Sequence, residues 1–241
     1  MRNFKYMDTN VSKIVEFINQ TNNFKLEELQ NSEYPDYVSL PLCVIDSIFS
    51  IGVKYNSVKN TVQHFCEYVK KEIGKNPLEE EISVSEILIL LDGKNEDFLA
   101  NETYNNRQRT STRNGMLKVL AVTQFLQVLK TFGIENLIDV PKISNNVEFD
   151  TEVKKIKGQS SGISLSYFFM LAGDNNRIKA DRMVMRFLKD RTGKNSNPEE
   201  CQELLEKAAE ELRVTPKELD FSIWKYESEK SRKTIEKQPY Q

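Results

Sequence analysis

The sequence predicts an all-α protein, and three observations carry that expectation. Helix-starting signatures recur: Ser83-Val84-Ser85-Glu86, Asn197-Pro198-Glu199-Glu200 and Thr215-Pro216-Lys217-Glu218 each place a capping residue three positions before a glutamate. Two of them add proline at the first helical position, where a missing N–H costs nothing. Between these starts, apolar residues return at three- and four-residue intervals, the period of one helix face. Alternating apolar and polar runs of strand length are scarce, and the chain has no internal repeat.

Taken in order, residues 40–53 (LPLCVIDSIFSIGV) are apolar nearly all round, so they read as a central buried helix. Ser83 opens a helix carrying Ile87, Leu88, Leu90 and Leu91. Residues 101–106 read as a loop. Residues 116–132 are apolar on one side through Val119, Val122, Leu126 and Leu129, and 144–147 read as another loop. The helix after Asn197 sets Cys201, Leu204, Leu205, Ala208 and Leu212 on one stripe. The tail 230–241 is charged and reads as frayed. The expected architecture is one compact unit of two helical lobes flanking a cleft. Lobe one takes about 38–140; lobe two takes about 1–37 with 141–229.

A chain of 241 residues with 39% hydrophobic and 29% charged residues fits a globular protein. No apolar run approaches the roughly 20 residues a bilayer span needs. The start, MRNFKYMDTNVSK, lacks the apolar centre of a secretory signal. Cys43, Cys66 and Cys201 are too scattered for a disulfide framework or a metal knuckle. A reduced, cytoplasmic, monomeric protein is the default expectation, with no membrane partner.

The net charge of −2 argues against indiscriminate polyanion binding. Charge is unevenly spread, however. Residues 154–194 hold ten Lys and Arg against three acids, leaving 24 basic and 33 acidic residues elsewhere. Such a patch serves either phosphate contacts or a solvated helix face. Inside it, Gly158-Gln159-Ser160-Ser161-Gly162 precedes an apolar helix, residues 163–171. Its glycines admit backbone angles closed to other residues, and its amides, with the positive end of the helix dipole, suit a phosphate oxygen. The plainer reading is an ordinary interhelical turn. Asp181 opens the next helix as D-x-x-V-x-R, running to Arg186. An acid there usually caps, but a fixed carboxylate also suits a cationic sugar left by a departing base, and the helix N-terminus keeps it ionised. Arg182 and Arg186, one turn apart, either hold flanking phosphates or face solvent.

The segment 158–193 resembles the helix–hairpin–helix DNA glycosylase superfamily, in which a glycine hairpin grips DNA backbone and a following aspartate works at the sugar. Two further segments are similar to that family, in its order. Residues 48–58 (IFSIGVKYNSV) look like the buried helix and loop that fill the gap left by a flipped base. Residues 113–119 (RNGMLKV) look like the short polar turn that leads into a long helix. The resemblance implies DNA contacts from Gly158, Ser160, Ser161, Gly162, Ser164, Arg182, Arg186, Arg113, Asn114 and Lys118. It implies Asp181 as the catalytic carboxylate. Ser50, Gly52, Val53, Tyr55 and Asp46 become candidates for the base gap or pocket. Val53 suits a wedge. Tyr55 either stacks on a base or packs inward, and Asp46 either anchors the helix or lines the pocket. Tyr167 and Phe168 read as core residues in preference to base-stacking ones, and His64 and Trp224 as core or interface residues.

Three departures refine what the resemblance implies. The hairpin glycines are further apart than usual. Ser164 stands nearest the position where bifunctional members carry a Schiff-base lysine, so no amine nucleophile is expected. The four-cysteine cluster of some members is absent. The expected activity is therefore monofunctional, water-using removal of a damaged or modified base from double-stranded DNA, in repair or in defence against viral DNA. No cofactor or metal is required, and a monovalent cation at the hairpin is compatible with the reading. A catalytically inactive DNA-binding module and a helical protein-interaction domain are the alternatives.

Overall fold

The computed structural model describes residues 8–26 and 34–236. Among them every regular element is helical, apart from one antiparallel bridge between Arg109 and Leu117. In chain order these are α1 (Thr9–Gln20), α2 (Leu40–Phe49), α3 (Tyr55–Ile73), α4 (Val84–Leu91), the single turn α5 (Glu96–Phe98), α6 (Lys118–Thr131), α7 (Val147–Lys155), α8 (Ile163–Leu171), α9 (Arg182–Thr192), α10 (Pro198–Leu212) and α11 (Pro216–Glu236). A π-turn, Leu99–Thr103, follows α5, and a 3-10 turn, Leu137–Lys142, follows α6. No helix among the described residues is long and apolar enough to cross a membrane. The chain divides into two compact units, 35–173 and 1–34 with 174–241.

In the 35–173 unit, α2 is the centre. All ten of its residues are buried, as its apolar circumference predicts, and it packs on α8, α6 and α3. It stops at Phe49, four residues before the end of the apolar run. Ser50 begins a turn there, and Gly52 takes φ +71°. Tyr104 stacks between Phe49 and Phe65, at centroid distances of 5.7 and 5.1 Å. Across the core, Phe125 of α6 meets Phe168 of α8 at 4.9 Å, and Phe149 of α7 joins them. Each such ring contributes about 1.5–3 kcal/mol by burial. This cluster decides where the segment 141–173 belongs. The sequence reading joins it to the chain ends, but Phe149, Phe168 and Phe169 bring it into the core of α2 and α6.

The signature at Ser83 forms a complete capping box. Ser83 Oγ accepts the Glu86 amide at 3.2 Å, and Glu86 Oε2 accepts the Ser83 amide at 2.9 Å. Lys75 lies 2.6 Å from the other Glu86 oxygen. The Lys75 and Ser83 hydrogen bonds hold the Glu86 carboxyl below its usual range, at about 2.

The second unit packs α1, α9, α10 and α11 around one apolar core. Val11, Ile14 and Ile18 of α1 meet Phe187 and Leu188 of α9, Leu205 and Ala208 of α10, and Leu219 and Ile223 of α11. The Arg191 guanidinium lies over the Phe17 ring at 3.4 Å. Helix α11 continues to Glu236, through the first part of the tail that the sequence reads as frayed. Side chains tie this end to α9: Lys230 Nζ lies 3.1 Å from Asp190 Oδ2, and Arg186 Nη2 donates to Ser231 Oγ at 3.1 Å. The rest of that tail, 237–241, lies outside the described residues, as do 1–7 and 27–33.

Ser83→Ala removes the acceptor for the Glu86 amide and is expected to cost about 1 kcal/mol in urea unfolding. The Glu86 carboxyl is depressed in the fold, so its contribution is present above the ordinary carboxylate range and is lost as pH falls towards about 2. Glu86→Gln should therefore flatten the acid limb of stability, and an unchanged limb would contradict the assignment.

Candidate functional site

Three separate segments of the 35–173 unit are fastened to one another by side chains that the sequence pattern gave no reason to pair. The first is the loop between Gln108 and Lys118. Its base is closed by the Thr110 amide on Met116 O at 2.9 Å and the Lys118 amide on Gln108 O at 2.8 Å. Arg109 Nη1 donates to Gly115 O at 2.7 Å. Any Cβ on Gly115 would lie 2.4 Å from the Ser111 backbone, so only glycine fits. At the tip, Arg113 is exposed, Asn114 is exposed with φ +54°, and the Arg113 side chain has no ion pair among the described residues.

The second segment is the turn after α2. Lys118, read from sequence as a phosphate contact, is only 1% exposed and points inward. Its ammonium donates to Phe49 O at 2.9 Å, Ile51 O at 2.8 Å and Gln108 Oε1 at 3.0 Å. The physical reason is the C-terminus of a fully buried helix. Its last carbonyls lack intrahelical donors and carry the negative end of the dipole, so a buried cation satisfies both demands. Gln108 Nε2 donates to Ser57 Oγ at 3.1 Å, which secures the first turn of α3 as well. On this turn, Ser50 Oγ is turned back onto Ser47 O at 3.1 Å, Gly52 is exposed and Val53 is half-buried. Tyr55 is half-buried and donates its hydroxyl to Asp46 Oδ2 at 3.0 Å, beside the Tyr37 hydroxyl at 2.8 Å. Of the two sequence readings for Tyr55, inward anchoring is the one the structure adopts. Asp46 itself is completely buried in α2. Burial and the neighbouring carboxylate push both phenols far above their ordinary range.

The third segment is the glycine hairpin between α7 and α8. Gly158 takes φ +91°, and a Cβ there would lie 2.4 Å from Thr110 Cβ. The hairpin is thus seated directly on the first loop. Gly162 caps α8 at φ +71°, and its amide closes the turn on Gln159 O at 3.0 Å. Ser160 and Ser161 are exposed. The amides of Ser160, Ser161, Ser164 and Leu165 have no hydrogen-bond acceptor among the described residues, as an open helix N-terminus requires. The Lys154 side chain lies alongside, its Nζ 3.7 Å from where a Gly162 Cβ would be. The Ser164 hydroxyl, read as a DNA contact, is instead buried and donates to the Oε1 of Gln159, itself wholly inside the turn. Burying a polar glutamine demands such a partner.

In the other unit, Asp181 is half-buried and caps α9. Its Oδ1 accepts the Met183 amide at 2.7 Å and the Val184 amide at 3.2 Å. Its Oδ2 receives no hydrogen bond among the described residues. Arg182 is exposed and has no ion pair among the described residues. Arg186 is committed elsewhere: its Nε donates to Glu227 Oε2 at 2.7 Å, where a fully buried carboxylate needs a counter-charge. The approach to Asp181 is held by residues the sequence reading missed. Gln202 accepts the Ile178 amide at 2.8 Å and donates to Asn176 O at 2.7 Å. Asp220 Oδ1 accepts the Lys179 amide at 2.9 Å. A signal for Asp220 was present, since it shares the buried stripe of α11 with Leu219 and Ile223. Gln159 and Gln108 had none.

A family model for a domain of unknown function (DUF8548) matches residues 12–228, and the chain belongs to that family. No curated protein and no solved structure matches the chain.

Gly158→Ala places a methyl group against Thr110 at a left-handed backbone position, and is expected to cost at least about 2 kcal/mol in urea unfolding. Lys118→Met strands the Phe49 and Ile51 carbonyls and should cost about 3 kcal/mol. A lysine serving phosphate alone would lose DNA affinity with stability intact, which is the contrary result.

Proposed function

We propose that this member of the DUF8548 family is a monofunctional DNA glycosylase with a helix–hairpin–helix glycosylase-like fold. In this reading it flips a damaged or modified base out of double-stranded DNA and hydrolyses its bond to deoxyribose. The observation that carries the reading is the fastening of the three family-like segments. The hairpin sits on the 108–118 loop at Gly158 and Thr110, and that loop holds the turn after α2 through Lys118. Segments far apart in sequence that resemble DNA-facing elements are thereby joined in one unit. Open amides at Ser160, Ser161 and the start of α8, with Lys154 beside them, suit a backbone phosphate. Exposed Arg113, Asn114 and Arg182 add further contacts.

Asp181 supplies the chemistry. One carboxylate oxygen is spent on capping α9, and this fixes the group in place. The other faces the cationic sugar that forms as the base departs. The C1′–N bond breaks with its electron pair on the base, water adds to C1′, and the water proton leaves for solvent or the base. With serine in place of the family's lysine, no covalent sugar intermediate forms, and strand cleavage does not follow. One observation favours a second reading, a non-catalytic DNA-binding module: capping alone accounts for an acid at position 181.

Duplexes carrying alkylated, deaminated, oxidised and glucosylated bases form the test panel. Wild type is expected to produce alkali-dependent strand breaks in one class, whose identity assigns repair or defence. Asp181→Asn should reduce release by at least about 10²-fold while duplex binding persists. Full activity in Asp181→Asn would contradict the assignment. Salt-sensitive binding with no base released would select the binding module.

A further inference from the structure

The loop that delivers Asp181 to α9 is clasped from two helices. Gln202 of α10 holds it at Asn176 and Ile178. From α11, the Lys217 amide donates to Asn175 O at 3.1 Å, and Asp220 Oδ1 accepts the Lys179 amide at 2.9 Å. The carbonyl of the same Lys179 accepts the Asp181 amide at 2.6 Å. The Asp220 carboxyl, the Lys179 residue and the Asp181 backbone are thus linked in series.

Asp220 is an unexpected residue in that place. It is 5% exposed, on the stripe of α11 that otherwise carries Leu219 and Ile223 into the core. For packing alone, an apolar side chain would serve at least as well. What the acid supplies is an acceptor for one particular amide, two residues before Asp181. We propose that Asp220 is a positioning residue for Asp181, fixing the turn through which that carboxylate enters α9. The proposal rests on the reading of Asp181 as the group beside the sugar.

The electrostatics fit such a role. Burial, and then the nearby charge of Asp181, hold the Asp220 carboxyl well above the ordinary range, with Lys179 and its amide opposing the shift in part. Those two side chains, Asp181 across the turn and Lys179 at its start, are the charged groups that act on Asp220. That shift favours the uncharged form of Asp220. An uncharged acid still accepts the Lys179 amide, so the clamp does not depend on an anion in the core.

The test uses the full chain as Asp220→Asn, Asp220→Ala and Asp181→Asn. Asparagine keeps an acceptor for the Lys179 amide and cannot ionise; alanine removes the acceptor. On the duplex class that wild type attacks, Asp220→Ala is expected to lower kcat about ten- to hundredfold with KM within about twofold, and Asp220→Asn to recover most of that loss. A second arm needs no DNA: urea unfolding from about pH 4 to 8. A carboxyl whose pKa is raised by folding stabilises the fold fully below its ordinary range and loses that contribution as pH rises. Wild type should therefore weaken relative to Asp220→Asn as pH increases, and Asp181→Asn should reduce that dependence. Wild-type kcat in Asp220→Ala, or the same pH dependence in wild type and Asp220→Asn, overturns the proposal. Undiminished base release by Asp181→Asn overturns its premise instead, and is told apart because the pH dependence of stability survives.

Discussion

At the end of the completely buried helix α2, the carbonyl of its last residue, Phe49, and that of Ile51 in the turn beyond converge on one cation, the ammonium of Lys118. Much of the 35–173 unit follows from that constraint. A buried helix end cannot rely on water to satisfy its carbonyls, so a donor must come from elsewhere in the chain. A lysine at the first position of α6 supplies it. Fixing that lysine fixes the loop that ends there, and Gln108 on the loop reaches Ser57 on α3. The same loop carries Thr110, against which Gly158 packs without room for a side chain. One desolvated ion thereby sets the register of three segments, two of which carry exposed polar tips.

The other unit solves a different problem. Its core is an aromatic and aliphatic cluster that joins Phe187 of α9 to residues of α1, α10 and α11. The demanding part is the irregular loop 174–181, whose Ile178 and Lys179 amides donate to side chains where a helix would offer backbone carbonyls. Gln202 and Asp220 take their place. Beyond it, Arg186 and Glu227 join α9 to α11 as a half-exposed guanidinium on a buried carboxylate. Asp181 stands at the junction of these two devices, with its capping oxygen engaged by the first turn of α9.

Much of this was legible in the sequence, for identifiable reasons. Helix starts at Ser83, Asn197 and Thr215 are local chemistry, and local chemistry survives folding: Glu86, Glu200 and Glu218 all close their boxes. The burial of α2 and the hairpin glycines were equally readable, since an all-apolar circumference and a paired glycine turn each have few structural solutions. Long-range pairing was not readable. Lys118 and Arg186 looked like solvent-facing cations because their partners, a helix end 67 or more residues away and a glutamate 41 residues on, leave no local mark. Ser164 failed for the same reason in miniature, as nothing in the sequence says that Gln159 folds inward. In the first part of the tail, 230–236, charge does not mean solvation, since α11 continues there and Lys230 reaches Asp190. Asp220 does leave a local mark, since an acid in an apolar stripe is a visible anomaly.

The proposed function sets the Asp181 carboxylate against a cationic sugar, an arrangement that hydrogen-bonded capping of α9 alone does not require. It can be tested without knowing the base, by comparing affinity for two duplexes that differ only at one abasic position. One carries a neutral tetrahydrofuran and the other a positively charged pyrrolidine that mimics the departing sugar. If the arrangement holds, wild type binds the cationic duplex at least about 10²-fold more tightly, and Asp181→Asn loses that preference while keeping its affinity for the neutral duplex. Equal affinity of wild type for the two duplexes, or a preference that survives in Asp181→Asn, would contradict it.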